Sequence, residues 1–117
     1  MNNNDLIEMI DMLILATQNR NLAWDETKAN IYLTHVDGCG IELSSSFEFE
    51  IGDAYYKISL SNADGEFFAN YSFSEITDGR QYQNLKKLEV TIRDVRYRIT
   101  ESENAIMNGL RKMTKGK

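Results

Sequence analysis

The stretch Gly40-Ile41-Glu42-Leu43-Ser44-Ser45-Ser46-Phe47-Glu48-Phe49-Glu50-Ile51 decides how the rest of the chain is read. Every large apolar residue in it is odd-numbered. Side chains of an extended strand alternate between two faces, so Ile41, Leu43, Phe47, Phe49 and Ile51 share one face with Ser45. Glu42, Ser44, Ser46, Glu48 and Glu50 share the other. One long strand over 40–51 fits this pattern, and a break at Ser44-Ser45-Ser46 is the alternative. Either way one face is apolar and the other wet, as in an antiparallel sheet covered on one side.

The flanking sequence extends that sheet in both directions. Asn30-Ile31-Tyr32-Leu33-Thr34-His35-Val36 is rich in β-formers and reads as the preceding strand. Asp37-Gly38 and Cys39-Gly40 supply the turn between the two. After a turn at Gly52-Asp53, Tyr56, Ile58 and Leu60 alternate with Lys57, Ser59 and Ser61 as a third strand. Asn62-Ala63-Asp64-Gly65 is a hairpin signal, because Asp-Gly tolerates the positive φ of such turns. Phe67, Ala69, Tyr71 and Phe73 then alternate as a fourth strand. The expected sheet is a four-stranded antiparallel meander, with five strands if the serine run divides one of them. Phe47, Phe49, Tyr56, Ile58, Phe67 and Tyr71 are expected on the face that the helices cover.

Helices are expected at both ends, giving an α+β fold. Residues 4–19 place Leu6, Ile10, Leu13 and Thr17 on one stripe, with Ile7 and Ile14 beside it and Asn4 or Asp5 as the cap. Met9 and Met12 widen that arc, so cover is expected on more than one side, from a second helix or a dimer interface. Leu22 and Trp24 follow in a connector, where the indole closes the end of the core. Beyond Thr77-Asp78-Gly79 the apolar period changes to about three and a half, through Leu85, Leu88, Ile92, Val95 and Ile99. Thr100-Glu101-Ser102-Glu103 fits a capping box that would begin a second helix carrying Ile106, Leu110 and Met113. The same seam also continues unbroken as one long helix, so 80–113 reads as one helix or two. The whole of 1–117 is read as one domain, with 1–4 and 114–117 frayed.

Composition bounds the class. The 117 residues are 42% apolar and 26% charged, which is ordinary globular usage. The lone Cys39 cannot form an internal disulfide. The apolar part of the first helix is short and carries Asp11, unlike a signal peptide or a membrane span, so the cytoplasm is the expected compartment and no membrane is expected as a partner. The net charge is −5 and unevenly distributed. Residues 1–79 carry 3 Lys/Arg against 14 Asp/Glu, whereas residues 80–117 carry 10 against 4. Such a pattern suits a basic helix lying on its own acidic sheet, or a basic face meeting an anionic partner.

Sequence motifs for chemistry are sparse. His35, Asp37 and Cys39 bracket one turn, but a zinc site needs further separated ligands and there is no other His or Cys. Ser44, Ser45 and Ser46 lack a nucleophile elbow, and Gly38-x-Gly40 lacks the lysine and helix of a phosphate loop. Glu48 and Glu50 lie in one row with Glu42, the pattern of a wet strand face. No catalytic residue, metal or cofactor is assigned on this reading.

The order of features resembles a group of small uncharacterised bacterial proteins, some from mobile or phage-related regions. The likeness rests on an N-terminal amphipathic helix, Leu22-x-Trp24, Gly40-Ile41-x-Leu43, Tyr56-x-Ile58-x-Leu60-x-Asn62-x-x-Gly65 and a long helix from near Leu85. It implies helix, antiparallel sheet and helix, and it implies no activity.

The function expected from these residues is a non-enzymatic protein-interaction or regulatory module, homodimeric or bound to another protein. Surplus apolar residues support it, since Val90 and Tyr97 lie opposite the main seam and Lys86, Arg93 and Arg96 complete a candidate interaction surface. A small-ligand site or enzyme would instead use a pocket under the sheet at Trp24, Tyr32 and His35. Nucleic-acid binding through the basic C-terminal helix is the third reading, opposed by the acidic body.

Overall fold

A computed structural model describes residues 1–115. Its elements are α1 (Asn3–Gln18), β1 (Asp25–Lys28), β2 (Ile31–Val36), β3 (Cys39–Glu48), β4 (Asp53–Ser61), β5 (Phe67–Ser74) and α2 (Gly79–Lys115). The strands form one five-stranded antiparallel sheet in the order β1-β2-β3-β4-β5. The fold is α+β, as the alternating and then helical periods require.

Strand register puts the apolar sets on one face. Tyr32 pairs with Leu43 and Thr34 with Ile41 across β2 and β3. Leu43 pairs with Ile58 and Ile41 with Leu60 across β3 and β4. Both helices lie on this face. From α1 come Leu6, Ile10, Leu13 and Ile14, and from α2 come Tyr82, Leu85, Leu88 and Ile92, all buried. Among the described residues, no helix lies on the sheet's other face. Ser59 there donates its hydroxyl to Asn70 Oδ1 at 2.6 Å, so a buried polar group is satisfied within the sheet.

Trp24 closes the core end expected of it. Its indole Nε1–H donates to Thr17 Oγ1 at 2.9 Å, and the Thr17 hydroxyl donates to the Leu13 carbonyl at 2.6 Å. A buried indole with a satisfied N–H joins α1 to the sheet at low cost.

Several expectations are revised. The serine run does not break β3, and the fifth strand is instead Asp25–Lys28, paired with β2 through Glu26 and Tyr32. Asn30 belongs to the turn before β2, with φ 64°, rather than to the strand. Helix α1 begins at Asn3 because the Asn2 carboxamide caps it, accepting the Asp5 N–H at 2.8 Å. Apolar alternation in β3 outlasts its pairing. Phe49, Glu50 and Ile51 form the turn to β4, closed by Gly52 N–H donating to the Glu48 carbonyl at 2.9 Å. Phe49 is therefore exposed and meets Phe47 edge to face, with ring centroids 4.9 Å apart, and Phe47, still paired with Ala54, is itself half exposed near the end of the strand. Phe67 is also exposed, because the β4–β5 register shifts between Leu60 and Ser61 and carries it off the covered face.

The undecided C-terminal region is one helix of 37 residues, about 55 Å long at 1.5 Å per residue. Thr114 and Lys115 continue it, while Gly116 and Lys117 lie outside the described residues. The molecule measures 62 × 35 × 23 Å with a radius of gyration of 17.6 Å. A compact chain of this length would have about 13 Å. The excess comes from α2, whose second half extends past the sheet.

Truncating Leu88, which is fully buried between α2 and the sheet, to alanine is expected to cost about 2–5 kcal/mol in urea denaturation. Phe49→Ala at the exposed turn is expected to change stability by less than about 0.5 kcal/mol.

Candidate interaction surface on the projecting helix

Two polar clusters fix where α2 goes. The first sets its start. Asp53 at the head of β4 accepts the Ser74 hydroxyl at the end of β5, and it also accepts the Ile76 N–H at 3.3 Å. Ser74 N–H donates to Asp78 Oδ2 at 3.0 Å, and the Asp78 carbonyl accepts the Tyr82 N–H at 2.9 Å in the first turn of α2. The Ser74 hydroxyl holds the Asp53 carboxyl below its ordinary pKa, so the cluster carries a charge that suits a helix N-terminus.

The second cluster clamps the middle of α2. The buried Glu89 carboxylate accepts the Tyr56 hydroxyl at 2.6 Å through Oε1. Its Oε2 has no hydrogen-bond partner and lies 3.5 Å from the Arg93 guanidinium. Arg93 Nε–H donates to Tyr32 Oη at 2.9 Å, and its Nη2 donates to Asn30 Oδ1 at 2.7 Å. One turn on, Arg96 donates to the Trp24 carbonyl. The planar guanidinium of Arg93 thus reaches the β1–β2 turn and β2 at once, a task its fork geometry suits.

Beyond Arg96 the sheet ends but the seam does not. Leu85, Leu88 and Ile92 are covered, whereas Ile99 is 41% exposed, Ile106 63%, Leu110 50% and Met113 79%. At 100° per residue those last four fall within about 60° of one another and in line with Ile92. A stripe this narrow, interrupted only by Ser102 and Glu103 between Ile99 and Ile106, keeps the period of the seam by which one helix packs on another. Covering such half-exposed side chains is worth about 1 kcal/mol each. An isolated helix of about 19 residues is marginal in water, so this segment gains most from cover.

A cleft opens where α2 leaves the sheet. It has a volume of about 270 Å³ and is lined by Ala23, Trp24, Arg96, Ile99, Thr100 and Glu103. It begins where the covered seam ends, so the two form one continuous surface. Charge along the segment is polarised. Glu103 lines the cleft, and Arg98 is held by Asp94 at 3.3 Å. Arg111, Lys112 and Lys115 crowd the far end, with no acidic residue from 105 to 115.

The residues singled out in the sequence scatter. Val90 and Tyr97 are 57% and 67% exposed, on the side of α2 away from the seam, with Lys86 exposed nearby. Arg93 and Arg96 are engaged with the molecule's own sheet and connector. Their partners there are neutral, Tyr32, Asn30 and the Trp24 carbonyl, and the carboxylate beside Arg93, Glu89, belongs to α2 itself, so these contacts are not the pairing of a basic helix with an acidic sheet. Trp24 and Tyr32 fill the core, while His35 alternates onto the opposite face of β2 and is exposed. The structure does not bring Trp24, Tyr32 and His35 into one pocket. Met12 and Leu15 of α1 stay exposed, so the second helix covers only part of its wide arc. The surface that the structure does assemble, Ile99, Ile106, Leu110 and Met113 with the cleft, had its signal in the unbroken seam spacing.

Among the described residues, no group of three or more His, Cys, Asp and Glu side chains is placed to hold a metal ion, and no helix is long and apolar enough to cross a membrane. The chain matches no protein-family model, no curated protein and no solved structure.

Burial, and then the hydrogen bond to Glu89, raise the Tyr56 phenol above its ordinary pKa of 10.0. A group whose pKa is raised by folding adds stability that is complete below the unfolded value and is lost as pH rises past it. Stability is expected to fall above about pH 10. Tyr56→Phe is expected to reduce that alkaline slope, read by urea midpoints from pH 9 to 12, and to remove the last-ionising phenol from the ultraviolet titration.

Proposed function

We propose that this chain is a non-enzymatic protein-interaction module of the cytoplasm that binds through the projecting half of α2 and the cleft at its root. The observation that carries the reading is the seam itself. One helix face is core from Leu85 to Ile92 and exposed from Ile99 to Met113, with no change in spacing. A face with this period fits another helix better than a small molecule or a nucleic acid, because its contacts are apolar and lie in one line.

The rest of α2 supports the assignment. The clamps at Ser74 and Arg93 hold the helix against the sheet, so its second half is presented in a fixed direction. Presenting a rigid helix lowers the ordering cost of association. Homodimerisation, expected from the surplus apolar residues, draws on this same face. Five half-exposed side chains per partner, Met107 included, supply about 5 kcal/mol on each side. That offsets an association cost of the same order and points to a reversible complex.

Native mass spectrometry of the protein purified gently from its own host tests the reading. The wild-type chain is expected to carry a bound polypeptide, identical or different. Ile106→Asp is expected to release it without changing the urea midpoint, since that side chain contacts no core. A wild-type chain that runs bare, or a complex that Ile106→Asp leaves intact, would overturn the proposal.

A further inference from the structure

We infer that β5 is a pairing edge whose occupant is β5 of a second copy, antiparallel about a two-fold axis at Tyr71. This surface stands apart from the seam of α2 and does not depend on it.

The two edges of the sheet are built differently. β1 is four residues long and wholly exposed, carries Asp25, Glu26 and Lys28, and shifts register between Glu26 and Lys28. Short length, charge and irregularity are the features by which an edge resists another strand. β5 is eight residues long, and Phe67–Ser74 contains no charge and no proline. Its one irregularity lies at its start, where the pairing shifts between Leu60 and Ser61. Among the described residues no strand pairs with its outer side.

Register shows which backbone groups are open. The Glu75 N–H donates to the Ala54 carbonyl at 2.9 Å. Hydrogen bonds of an antiparallel ladder join every second opposed pair, so the bonded series continues through Phe73 with Tyr56, Tyr71 with Ile58 and Ala69 with Leu60. The N–H and C=O groups of Asn70, Ser72 and Ser74 then point away from β4. Ser74 is closed off, since its N–H donates to Asp78 Oδ2 at 3.0 Å and its carbonyl accepts the Asp78 N–H at 2.8 Å. Asn70 and Ser72 remain, with Tyr71 midway between them.

That set is its own complement. Two β5 strands laid antiparallel with Tyr71 opposite Tyr71 set Asn70 of each against Ser72 of the other, so all four N–H groups find carbonyls. On the helix-covered face the half-buried Tyr71 rings meet, and Phe73 falls opposite Ala69, large against small. Asn70 and Ser72 on the other face are neutral, so no like charges oppose one another across the strands. α2 runs from Ser74 on β5, past Tyr56 of β4 and Tyr32 of β2, to Trp24. Its projecting half leaves at the β1 edge, and a pair joined at β5 carries its two seams at opposite ends, clear of the join. A strand contact of this length is smaller than a standard stable interface. Pairing is therefore expected at millimolar concentration and not at the micromolar concentrations of mass spectrometry, where the seam is tested.

Residue-resolved amide exchange of the full chain by nuclear magnetic resonance gives the test. The Ala69, Tyr71 and Phe73 amides are expected to be protected at micromolar and millimolar concentration alike. The Asn70 and Ser72 amides are expected to exchange rapidly when dilute and about tenfold more slowly at millimolar concentration. Ile106→Asp is expected to leave that gain unchanged. Ser72→Pro removes an outward donor at a position an edge strand tolerates, and it is expected to abolish the gain at Asn70 while Ala69 and Tyr71 stay protected. If that variant loses their protection, Ser72→Lys replaces it with the same expectation. In a Cys39→Ser background, Tyr71→Cys is expected to cross-link on mild oxidation, because opposed residues of a non-hydrogen-bonded pair lie about 4.5 Å apart at Cα. Ser72→Cys, opposite Asn70, is expected not to. Rapid exchange at Asn70 and Ser72 that no concentration slows, or a gain that the Ser72 variants leave intact, overturns the pairing. Cross-linking at Ser72→Cys rather than Tyr71→Cys overturns the axis at Tyr71. Protection of Asn70 and Ser72 that only a different polypeptide brings overturns the second copy as occupant.

Discussion

A helix of 37 residues is about 55 Å long, and the longest strand pairing here spans nine residues, about 30 Å. The apolar seam of α2 therefore outruns the surface available to bury it. Its first half has an ordinary core role, covering Leu43, Ile58 and Tyr56. Its second half has the same chemistry with no sheet beneath it. This mismatch in length accounts for the elongated shape, the exposed isoleucines and methionines, and the cleft at Trp24.

The direction of the projecting segment depends on polar groups that a simple core would omit. Asp53, Ser74 and Asp78 fix the first turn of α2, and Tyr56, Glu89, Arg93 and Tyr32 fix its middle. Burying a carboxylate is costly unless it is paired, and Glu89 has a phenol at one oxygen and a guanidinium near the other. Such a network adds little net stability, but it allows one placement of the helix and penalises sliding. A seam held in a defined direction presents its side chains in register, which is what recognition by another helix requires. The uneven charge of the chain fits the same scheme, because the cations that could have settled on the acidic body are carried beyond it.

Most of the fold was legible from periodicity. The alternation of Ile41 and Leu43, and of Tyr56, Ile58 and Leu60, located the covered face, and Asp37-Gly38 and Asp64-Gly65 located two hairpins. β1 escaped because Asp25-Glu26-Thr27-Lys28 is an exposed edge strand with no apolar alternation. Its one local signal was Asn30, a residue that tolerates the left-handed conformation a tight turn needs. Phe47, Phe49 and Phe67 misled because alternation reports neither where pairing stops, as before Phe49, nor a register shift, as at Phe67, nor how far the helices reach along a strand, as at Phe47. The interaction surface was half legible. The spacing through 99, 106 and 113 is in the sequence, but a capping box at Thr100 reads as well as a continuing helix, and tertiary length decides between them. The engagement of Arg93 and Arg96 was not legible, since it depends on the β1–β2 turn lying beneath α2.

Amide hydrogen exchange as a function of protein concentration tests the central claim most directly, because it reads the cover on each part of α2 separately. The account predicts that amides from 85 to 92 are strongly protected at every concentration. It predicts that those from 97 to 113 exchange rapidly when dilute and gain protection as concentration rises, with Ile106→Asp abolishing the gain. Protection over 97–113 that already equals that over 85–92 in the dilute chain would contradict it, and rapid exchange over 97–113 at every concentration would assign the seam to a different polypeptide.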